Sequence, residues 1–374
     1  MNYTTSMHND EVKQNILKCS RCGLCQEVCP VFEEIKDEKT TARGKLMQIW
    51  GLKKGDLKLN SKILKNFDLC LNCDKCKLNC PSGVDTTGVF NKEKKLNLLG
   101  RFLNSVFVFN LKLSALSFFA LFKKAPIYEK KSNILYFEGC IAKKIKKEFK
   151  LQGIKLKNGN FECCALPYLT KGREDIYKKI VEYNENIIEN AQMVVFDCAT
   201  CFNAVKNYPF KNPKSKEKLV FYTDFYKQIE FVAKKNYKIT YHTPCHLKSS
   251  GVKLEEIENI LKSIKNINYK QMEKADSCCG FGGDFFIRHP KIAYSISMKK
   301  AKNIINTNTD FVLTSCPTCL WSLQFSMFIN KLINKNNKIP KVMDLNDFIN
   351  NFCTVTLKKQ SKTSQDAGKC ELLL

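Results

Sequence analysis

The sequence predicts a multidomain protein, with an N-terminal all-α domain followed by two α/β lobes that repeat one pattern. Three observations predict this fold class. Residues 1–98 combine helical patterns with two copies of one cysteine run. From residue 131 onward, short apolar strands alternate with helical segments. A second cysteine pattern then occurs twice along these α/β residues, with its members in the same order.

The N-terminal domain, residues 1–98, is predicted to be helical around Glu11–Lys18, Ala42–Leu52 and Ser61–Asp68, with almost no strand signals. It carries two Cys-x2-Cys-x2-Cys-x3-Cys-Pro runs. These runs are Cys19, Cys22, Cys25 and Cys29 before Pro30, and Cys70, Cys73, Cys76 and Cys80 before Pro81. Thiolate sulfur is a soft ligand that suits iron–sulfur clusters, so the domain is predicted to be of the two-cluster ferredoxin type.

The fourth cysteine of each run is expected to serve the other cluster, as it does in two-cluster ferredoxins. One [4Fe–4S] cluster would then use Cys19, Cys22, Cys25 and Cys80, and the other would use Cys70, Cys73, Cys76 and Cys29. Two structural zinc sites are the competing interpretation, which paired four-cysteine runs ending in Pro disfavour. Metal binding on crossed loops would also contribute folding free energy.

A connector is predicted at residues 99–130. Its apolar stretch, Phe102–Phe122, is interrupted by Asn104, Asn110 and Lys112. No run therefore reaches the ~20 apolar residues that a membrane span needs. Buried linker helices and a helix lying at a membrane surface both remain open for this stretch.

The α/β part is divided into lobes at residues 131–236 and 237–355, followed by a polar, basic tail at 356–374 that is expected to be disordered. Its predicted strands are Ile134–Phe137, Met193–Phe196, Ile239–Tyr241 and Phe311–Thr314, and its predicted helices include Asp175–Asn190, Leu254–Lys265 and Pro290–Asn306. Each of the four predicted strands is followed within a few residues by a cysteine. Ligands in open α/β sheets bind beyond the carboxyl ends of strands, so this order predicts a cofactor site in each lobe.

The second cysteine pattern is a single cysteine, an adjacent pair, and then Cys-x-x-Cys. Its members are Cys140, Cys163, Cys164, Cys198 and Cys201 in the first lobe, and Cys245, Cys278, Cys279, Cys316 and Cys319 in the second. Adjacent cysteines point in different directions, so they favour neighbouring irons of a larger cluster over one iron. Reduced thiols or a redox-active dithiol remain the alternatives, most of all in the first lobe.

At these residues the chain resembles the cysteine-rich CCG domain of heterodisulfide reductases, in which the pattern can hold a non-cubane four-iron cluster. The second lobe fits well, with Cys278-Cys279-Gly280. The first lobe departs from the pattern, because Ala165 stands where Gly usually follows the pair. The resemblance implies one or two further clusters beside the two [4Fe–4S] clusters.

The whole layout resembles the iron–sulfur subunit of glycolate oxidase over roughly residues 10–350. The matching segments include Ala42-Arg43-Gly44-Lys45, Leu69-Cys70-Leu71-Asn72-Cys73, Cys80-Pro81-Ser82-Gly83-Val84 and Glu138-Gly139-Cys140. Related subunits of lactate, glycerol-3-phosphate and fumarate systems share these parts, and Cys316-Pro-Thr-Cys319 is similar to the heterodisulfide reductase pattern. A function like that of heterodisulfide reductase therefore remains an alternative.

This resemblance implies an electron-transfer subunit of a flavin-dependent 2-hydroxy-acid dehydrogenase, acting on the CH–OH group of glycolate and also of D-lactate. An FAD-containing partner would oxidise the hydroxy acid and a quinone or another acceptor would receive the electrons. No catalytic residue is expected in this chain, since it shows no nucleophile–base set and no nucleotide fingerprint. A CCG lobe that cleaves a disulfide is the alternative. His246, beside Cys245, is a candidate hydrogen-bond donor near a cluster.

The net charge of +26 suits an anionic membrane surface, although lysines spread along the whole chain also fit a simple composition bias. No basic segment carries a nucleic-acid motif, so nucleic-acid binding is not expected. The polar N-terminus lacks the apolar core of a signal peptide. We therefore expect a cytoplasmic protein with peripheral contact at the inner membrane.

Overall fold

A computed structural model describes residues 11–93, 134–144, 149–151, 154–227, 229–333 and 338–357. They form two compact units. The first unit contains the described residues up to 93 together with Glu162–Glu182 and Ser277–Lys300, and the second unit contains the other described residues. The predicted connector and most of the predicted tail lie outside the described residues.

The described helices are α1 (Glu11–Leu17), α2 (Leu24–Glu27), α3 (Pro30–Ile35), α4 (Ala42–Lys54), α5 (Ser61–Asp68), α6 (Lys75–Leu78), α7 (Thr86–Glu93), α8 (Cys140–Lys144), α9 (Leu166–Thr170), α10 (Glu174–Asn190), α11 (Ala199–Lys206), α12 (Thr223–Tyr226), α13 (Cys245–Ser249), α14 (Leu254–Ser263), α15 (Phe285–Arg288), α16 (Pro290–Ile305), α17 (Pro317–Ile333) and α18 (Leu345–Phe352). The described strands are β1 (Ile134–Tyr136), β2 (Lys150–Leu151), β3 (Ile154–Lys155), β4 (Lys157–Asn158), β5 (Met193–Phe196), β6 (Leu219–Phe221), β7 (Ile229–Tyr241), β8 (Lys265–Tyr269), β9 (Phe311–Thr314), β10 (Lys341–Asp344) and β11 (Cys353–Leu357). Short 3₁₀ turns occur at Glu38–Thr40 and Pro213–Lys218.

All regular elements in residues 11–93 of the first unit are helical. The longest of them, α4, begins after Thr41, whose side chain accepts a hydrogen bond from the Gly44 amide at 3.2 Å, and ends at Gly55 in the left-handed conformation. Its buried Leu46 and Ile49 belong to an apolar core on which several of the loop cysteines pack. Burial of this core therefore fixes the helices that carry the two cysteine runs.

The second unit contains two sheets with mainly parallel strands and a separate antiparallel pair, β2–β3. In the first sheet, all pairs in the order β4-β1-β5-β6 are parallel. In the second sheet, the order is β10-β9-β7-β11 with β8 also paired to β7, and the β7–β11 pair is antiparallel. Every residue of β5 and of β9 is buried, which is the pattern of parallel strands covered on both faces.

The α/β regions and the helical N-terminal region agree with the predicted fold class, and the four predicted strands are present. The predicted helix Leu254–Lys265 ends earlier, at Ser263, because Lys265 begins β8. Strand β7 is continuous across the predicted lobe boundary at 236–237. Strand β11 runs to Leu357, within the predicted tail, because it pairs with β7. The domain boundaries and the repeat relation between the lobes stay predictions.

Four cysteines follow the carboxyl ends of parallel strands, as the sequence pattern predicts. Cys140 begins α8 after β1, and Cys245 begins α13 after β7. Cys198 is the residue before α11, after β5, and Cys316 is the residue before α17, after β9. The second unit thus presents thiols at the strand edge where α/β sheets bind ligands.

Among the helices that the structure describes, none is long and apolar enough to cross a membrane.

Candidate metal centres

The two cysteine runs of the first unit form loops with the same backbone conformation. The residues on either side of the second cysteine of each run have positive φ. They are Arg21 and Gly23, at 60° and 87°, and Asn72 and Asp74, at 52° and 58°. Side chains other than Gly rarely adopt this left-handed region. Both loops therefore turn in the same left-handed way on either side of Cys22 and of Cys73.

The first site, called site one, is a cleft lined by Cys19, Cys22, Cys25 and Cys80, and Cys76 of the second run also lines it. Cys80 comes from the second run, so the cleft joins cysteines of both runs. Cys22 is exposed. The amide of Leu24 donates to its sulfur and lowers the pKa of this thiol.

Arg43, at the start of α4, supports site one. Its Nη1 donates to the Arg21 carbonyl at 2.8 Å and its Nε contacts Glu38 at 2.6 Å. Burial raises the pKa of Cys25, while the Arg43 amide, which donates to the Cys25 sulfur, opposes that rise. The first loop is thus tied to α4 through both its backbone and a ligand candidate.

The second site, called site two, brings Cys29 of the first run beside Cys70 and Cys76 of the second, and Cys73 of that loop is buried. Burial raises the pKa of Cys29 and raises that of Cys76 to about 12. Buried thiolates need compensating positive charge, which bound iron would supply. The exchange of the fourth cysteines between the runs matches the motif, while the ligand assignments themselves stay predictions.

Hydrogen bonds to sulfur fit both sites to iron–sulfur clusters. The amides of Asn72 and Val84 donate to the sulfurs of Cys70 and Cys80, each at 3.4 Å. The Thr86 hydroxyl lies 3.0 Å from the Cys76 sulfur. Thiol sulfur is a weak acceptor, whereas cluster-bound thiolate carries negative charge that such donors stabilise and tune.

A buried lysine that the cysteine motifs do not predict lies beside site two. The Lys45 side chain is 2% exposed, and its Nζ donates to the Leu69 carbonyl at 2.6 Å, next to Cys70. The Lys45 charge also opposes the rise in the pKa of Cys29. The sequence showed Ala42-Arg43-Gly44-Lys45 as a family match, but only the fold shows that this lysine is buried beside sulfur.

In the second unit, the two Cys-x-x-Cys motifs meet. The Ala199 amide donates to the Ser315 carbonyl at 3.0 Å, which joins the two loops. Hydrogen bonds from Cys198 and then from Cys319 lower the pKa of Cys316 well below that of a free thiol. Cys201 is hydrogen-bonded to Cys198. The sequence assigned these thiols to two separate lobes, so their contact is a finding of the structure.

A hydroxyl bridges this thiol group to His246. The Thr200 Oγ1 lies 3.0 Å from the Nδ1 of His246 and 3.4 Å from the sulfur of Cys316. His246 is buried rather than turned to solvent. The predicted role of His246 near a cluster would thus be exerted through Thr200.

The adjacent pairs, Cys163–Cys164 and Cys278–Cys279, belong to the first unit, whereas the other six cysteines of the second pattern belong to the second unit. Each pair precedes a left-handed residue, Ala165 with φ 58° and Gly280 with φ 88°. The Gly280 amide lies 3.5 Å from the Cys278 sulfur and donates to it. The first pair therefore has the same turn as the second, although Ala replaces Gly.

Nothing in the sequence around His289 or Arg288 indicates a functional role. Both contact Asp68, two residues before Cys70, within the first unit. No motif contains them, and the contact joins residues that lie far apart in the chain. Their placement follows from the fold alone.

Family models match the chain in three segments. A 4Fe-4S dicluster domain matches residues 15–84. A cysteine-rich domain, CCG, matches residues 134–206 and 239–324. Together these segments contain each of the 18 candidate ligands that the sequence predicts.

Similar proteins include oxidoreductase subunits. An uncharacterised iron–sulfur protein of Methanocaldococcus jannaschii is 26% identical over 91% of this chain and 73% of its own length. A dihydromethanophenazine:CoB–CoM heterodisulfide reductase subunit of Methanosarcina acetivorans is 25% identical over 80% of this chain and 86% of its own length. A probable glycolate oxidase iron-sulfur subunit of Bacillus subtilis is 21% identical over 83% and 89%. The chain spans only 58% and 34% of two further relatives.

Among solved structures, a hypothetical protein from Helicobacter pylori matches 97% of this chain and 75% of its own chain, with a TM-score of 0.56 and 10% identity. That likeness supports the fold alone. The dicluster-domain match, the two cysteine-rich matches and the relatives give one assignment: the chain belongs to the iron–sulfur proteins in which a 4Fe-4S dicluster domain precedes two cysteine-rich CCG domains.

Proposed function

We propose that this chain carries electrons between a flavin-containing partner, which oxidises glycolate or a related 2-hydroxy acid such as D-lactate, and a quinone or another acceptor. The observation that supports it most is that both four-cysteine runs lie in one compact unit, with Cys80 at the cleft of the first run and Cys29 beside cysteines of the second. A [4Fe–4S] cluster at each site would accept and release one electron at a time. The substrate class rests on similarity to the glycolate oxidase subunit.

The residues of the chain would hold clusters and set their potentials. Cys19, Cys22, Cys25 and Cys80 would hold one cluster in the exposed cleft. Cys29, Cys70, Cys73 and Cys76 would hold a second in a more buried setting, with Lys45 supplying positive charge nearby. Burial, charge and hydrogen bonds to sulfur are the factors by which proteins tune such clusters.

The experiment that tests this proposal replaces Cys73 with Ser in the complex of this chain with its flavin partner. We expect substrate still to reduce the flavin, while reduction of the acceptor stops and one paramagnetic signal of the reduced chain is lost. Cys353→Ser is the matched control, since Cys353 is a buried cysteine outside the four motifs. Unchanged acceptor reduction in Cys73→Ser would remove the relay role.

A second candidate function has its own support in the thiol group of the second unit. Hydrogen bonds link Cys198, Cys201, Cys316 and Cys319, and the pKa of Cys316 is lowered by these bonds. With similarity to a heterodisulfide reductase component, this favours cleavage of a disulfide by two electrons and two protons to give two thiols. Disulfide reduction by the reduced chain alone, lost in Cys316→Ser, would favour this candidate.

For location, we propose the cytoplasm, with peripheral contact at the inner membrane. The net charge of +26 supports attraction to anionic lipid. Co-sedimentation with anionic vesicles, weakened by salt and absent with neutral vesicles, is the expected result.

A further inference from the structure

Helix α17 of the second unit turns polar side chains inward. Its buried residues include Ser322, Ser326 and Asn330 beside Leu323 and Met327. The Ser326 hydroxyl donates to the Leu323 carbonyl at 3.1 Å, and the Asn330 amide donates to the Ser326 carbonyl at 2.8 Å. A helix on the surface of a soluble protein normally turns such polar groups to water and its large apolar groups to the core. The inward face of α17 departs from that arrangement.

The outward face of α17 carries a row of large apolar side chains, here called the α17 stripe. Its members are Trp321, Phe325, Phe328, Leu332 and Ile333, with exposed fractions between 39% and 62%. The first four are spaced by four, three and four residues, which aligns them along one side of a helix. At the helical rise of about 1.5 Å per residue, the stripe is roughly 17 Å long. Contiguous exposed apolar side chains mark a surface that binds another apolar surface.

The charges that accompany the α17 stripe along the chain are all positive. Residues 311–343 contain four lysines and neither Asp nor Glu. Lys331 lies on α17 itself, and Lys341 begins β10, which packs on α17. Both lysines are exposed, whereas Lys338 pairs with Asp310. A stripe of Trp, Phe and Leu with lysines near its end is the composition of helices that lie at the surface of an anionic bilayer.

We propose that the α17 stripe inserts into the headgroup layer of an anionic membrane, with Lys331 and Lys341 next to lipid phosphates. The inference rests on the proposed peripheral location and names the surface responsible for it. Trp and Phe rings are favoured at the boundary between headgroups and acyl chains. Charge of one sign favours lipid over a protein partner, because a protein interface surrounds its apolar centre with a mixed polar rim.

The test measures co-sedimentation of the full chain, purified anaerobically, with vesicles of phosphatidylglycerol and phosphatidylcholine. The stripe variant combines Phe328→Ser with Leu332→Ser. The matched control combines Leu57→Ser with Leu59→Ser, which removes two exposed leucines outside the stripe. A second measurement uses Trp50→Phe, in which Trp321 is the remaining tryptophan. Its fluorescence is compared on vesicles with and without bromine on the acyl chains.

The stripe variant should bind about tenfold more weakly than the control, because burial of two apolar side chains is lost. Both variants should keep the iron content of the parent chain, and brominated lipid should quench Trp321. Equal binding of the two variants, or no quenching of Trp321, would overturn the inference.

Two further outcomes separate lipid from other occupants of the stripe. Normal vesicle binding by a stripe variant that no longer binds the flavin partner, or that no longer forms a dimer present in the parent chain, would assign the stripe to a protein and overturn the inference. A parent chain that binds no vesicles would remove the inference together with the proposed location. Reduction of the acceptor in solution tests the relay function separately from both.

Discussion

The turn after each cysteine pair gives a stability prediction with different outcomes at two matched positions. Gly280 has φ 88°, and a Cβ there would lie 2.7 Å from the Ala293 carbonyl oxygen and 3.3 Å from the Ile296 Cβ. Gly280→Ala should cost about 1–2 kcal/mol for the left-handed backbone, and a further ~1–3 kcal/mol for overpacking.

The reverse change, Ala165→Gly, should be close to neutral. Ala165 already has φ 58° and is fully buried in contact with Tyr168 and Ile180. Glycine would relieve about 1–2 kcal/mol of backbone strain. It would also lose a buried methyl, ~0.8 kcal/mol, and add ~0.4–1 kcal/mol of chain entropy to the unfolded state. These terms nearly cancel.

Anaerobic thermal unfolding at one scan rate measures both variants against the parent chain. Gly280→Ala should lower the Tm by several degrees, because about 1 kcal/mol corresponds to roughly 2–4 °C in chains of 150–250 residues, whereas Ala165→Gly should leave it nearly unchanged. Equal losses at the two positions, or no loss in Gly280→Ala, would show that the turn geometry assigned to the pairs is wrong.

Three further predictions address charge and hydrogen bonding around the sites. Lys45→Met should lower the reduction potential of site two, because a buried cation that favours the reduced cluster is lost. Redox titration measures this potential, and Lys58→Met, at an exposed lysine, is the control. An unchanged potential in Lys45→Met would contradict this role of Lys45. Burial and the charge of Arg288 lower the pKa of His289 to about 4, and Arg288 itself pairs with Asp68. The unfolded state therefore binds this proton near pH 6.5, whereas the folded state binds it only at lower pH. As the pH falls from 7.5 to 5.5, the free energy of unfolding should decrease by about 1 kcal/mol. His289→Gln should flatten this pH profile of Tm. Thr200→Val should lower the potential of a cluster bound at Cys316, and Thr200→Ser should restore it; equal potentials in the two variants would rule out a hydrogen-bond effect.

The cysteine sites were predictable because ligand spacing is local. Three cysteines with two residues between each must line one loop, and a strand that precedes Cys198 or Cys316 places that thiol at a sheet edge. Strand β5 and strand β9 were found because their burial on both faces leaves a continuous apolar run in the sequence.

Contacts between distant segments were not predictable from one sequence. Nothing local to Arg288 or Ser295 indicates that the chain brings Asp68 or Glu34 beside them. Strand β11 was missed for a related reason. Its residues lie at the start of a polar tail, and they are extended because β7 offers an antiparallel edge. Pairing of this kind depends on the partner strand more than on the propensity of the segment itself.

The two cysteine runs share one spacing but differ in how deeply their cysteines are buried. Site one has an exposed cysteine, Cys22, at an open cleft, whereas site two has the buried Cys73 and is contacted by the segment that carries Cys278–Cys279. Cys22 is therefore open to solvent, whereas Cys73 is covered by protein. In the proposed relay, this difference in exposure would make site one the entry point for an electron from a donor protein and site two the next carrier.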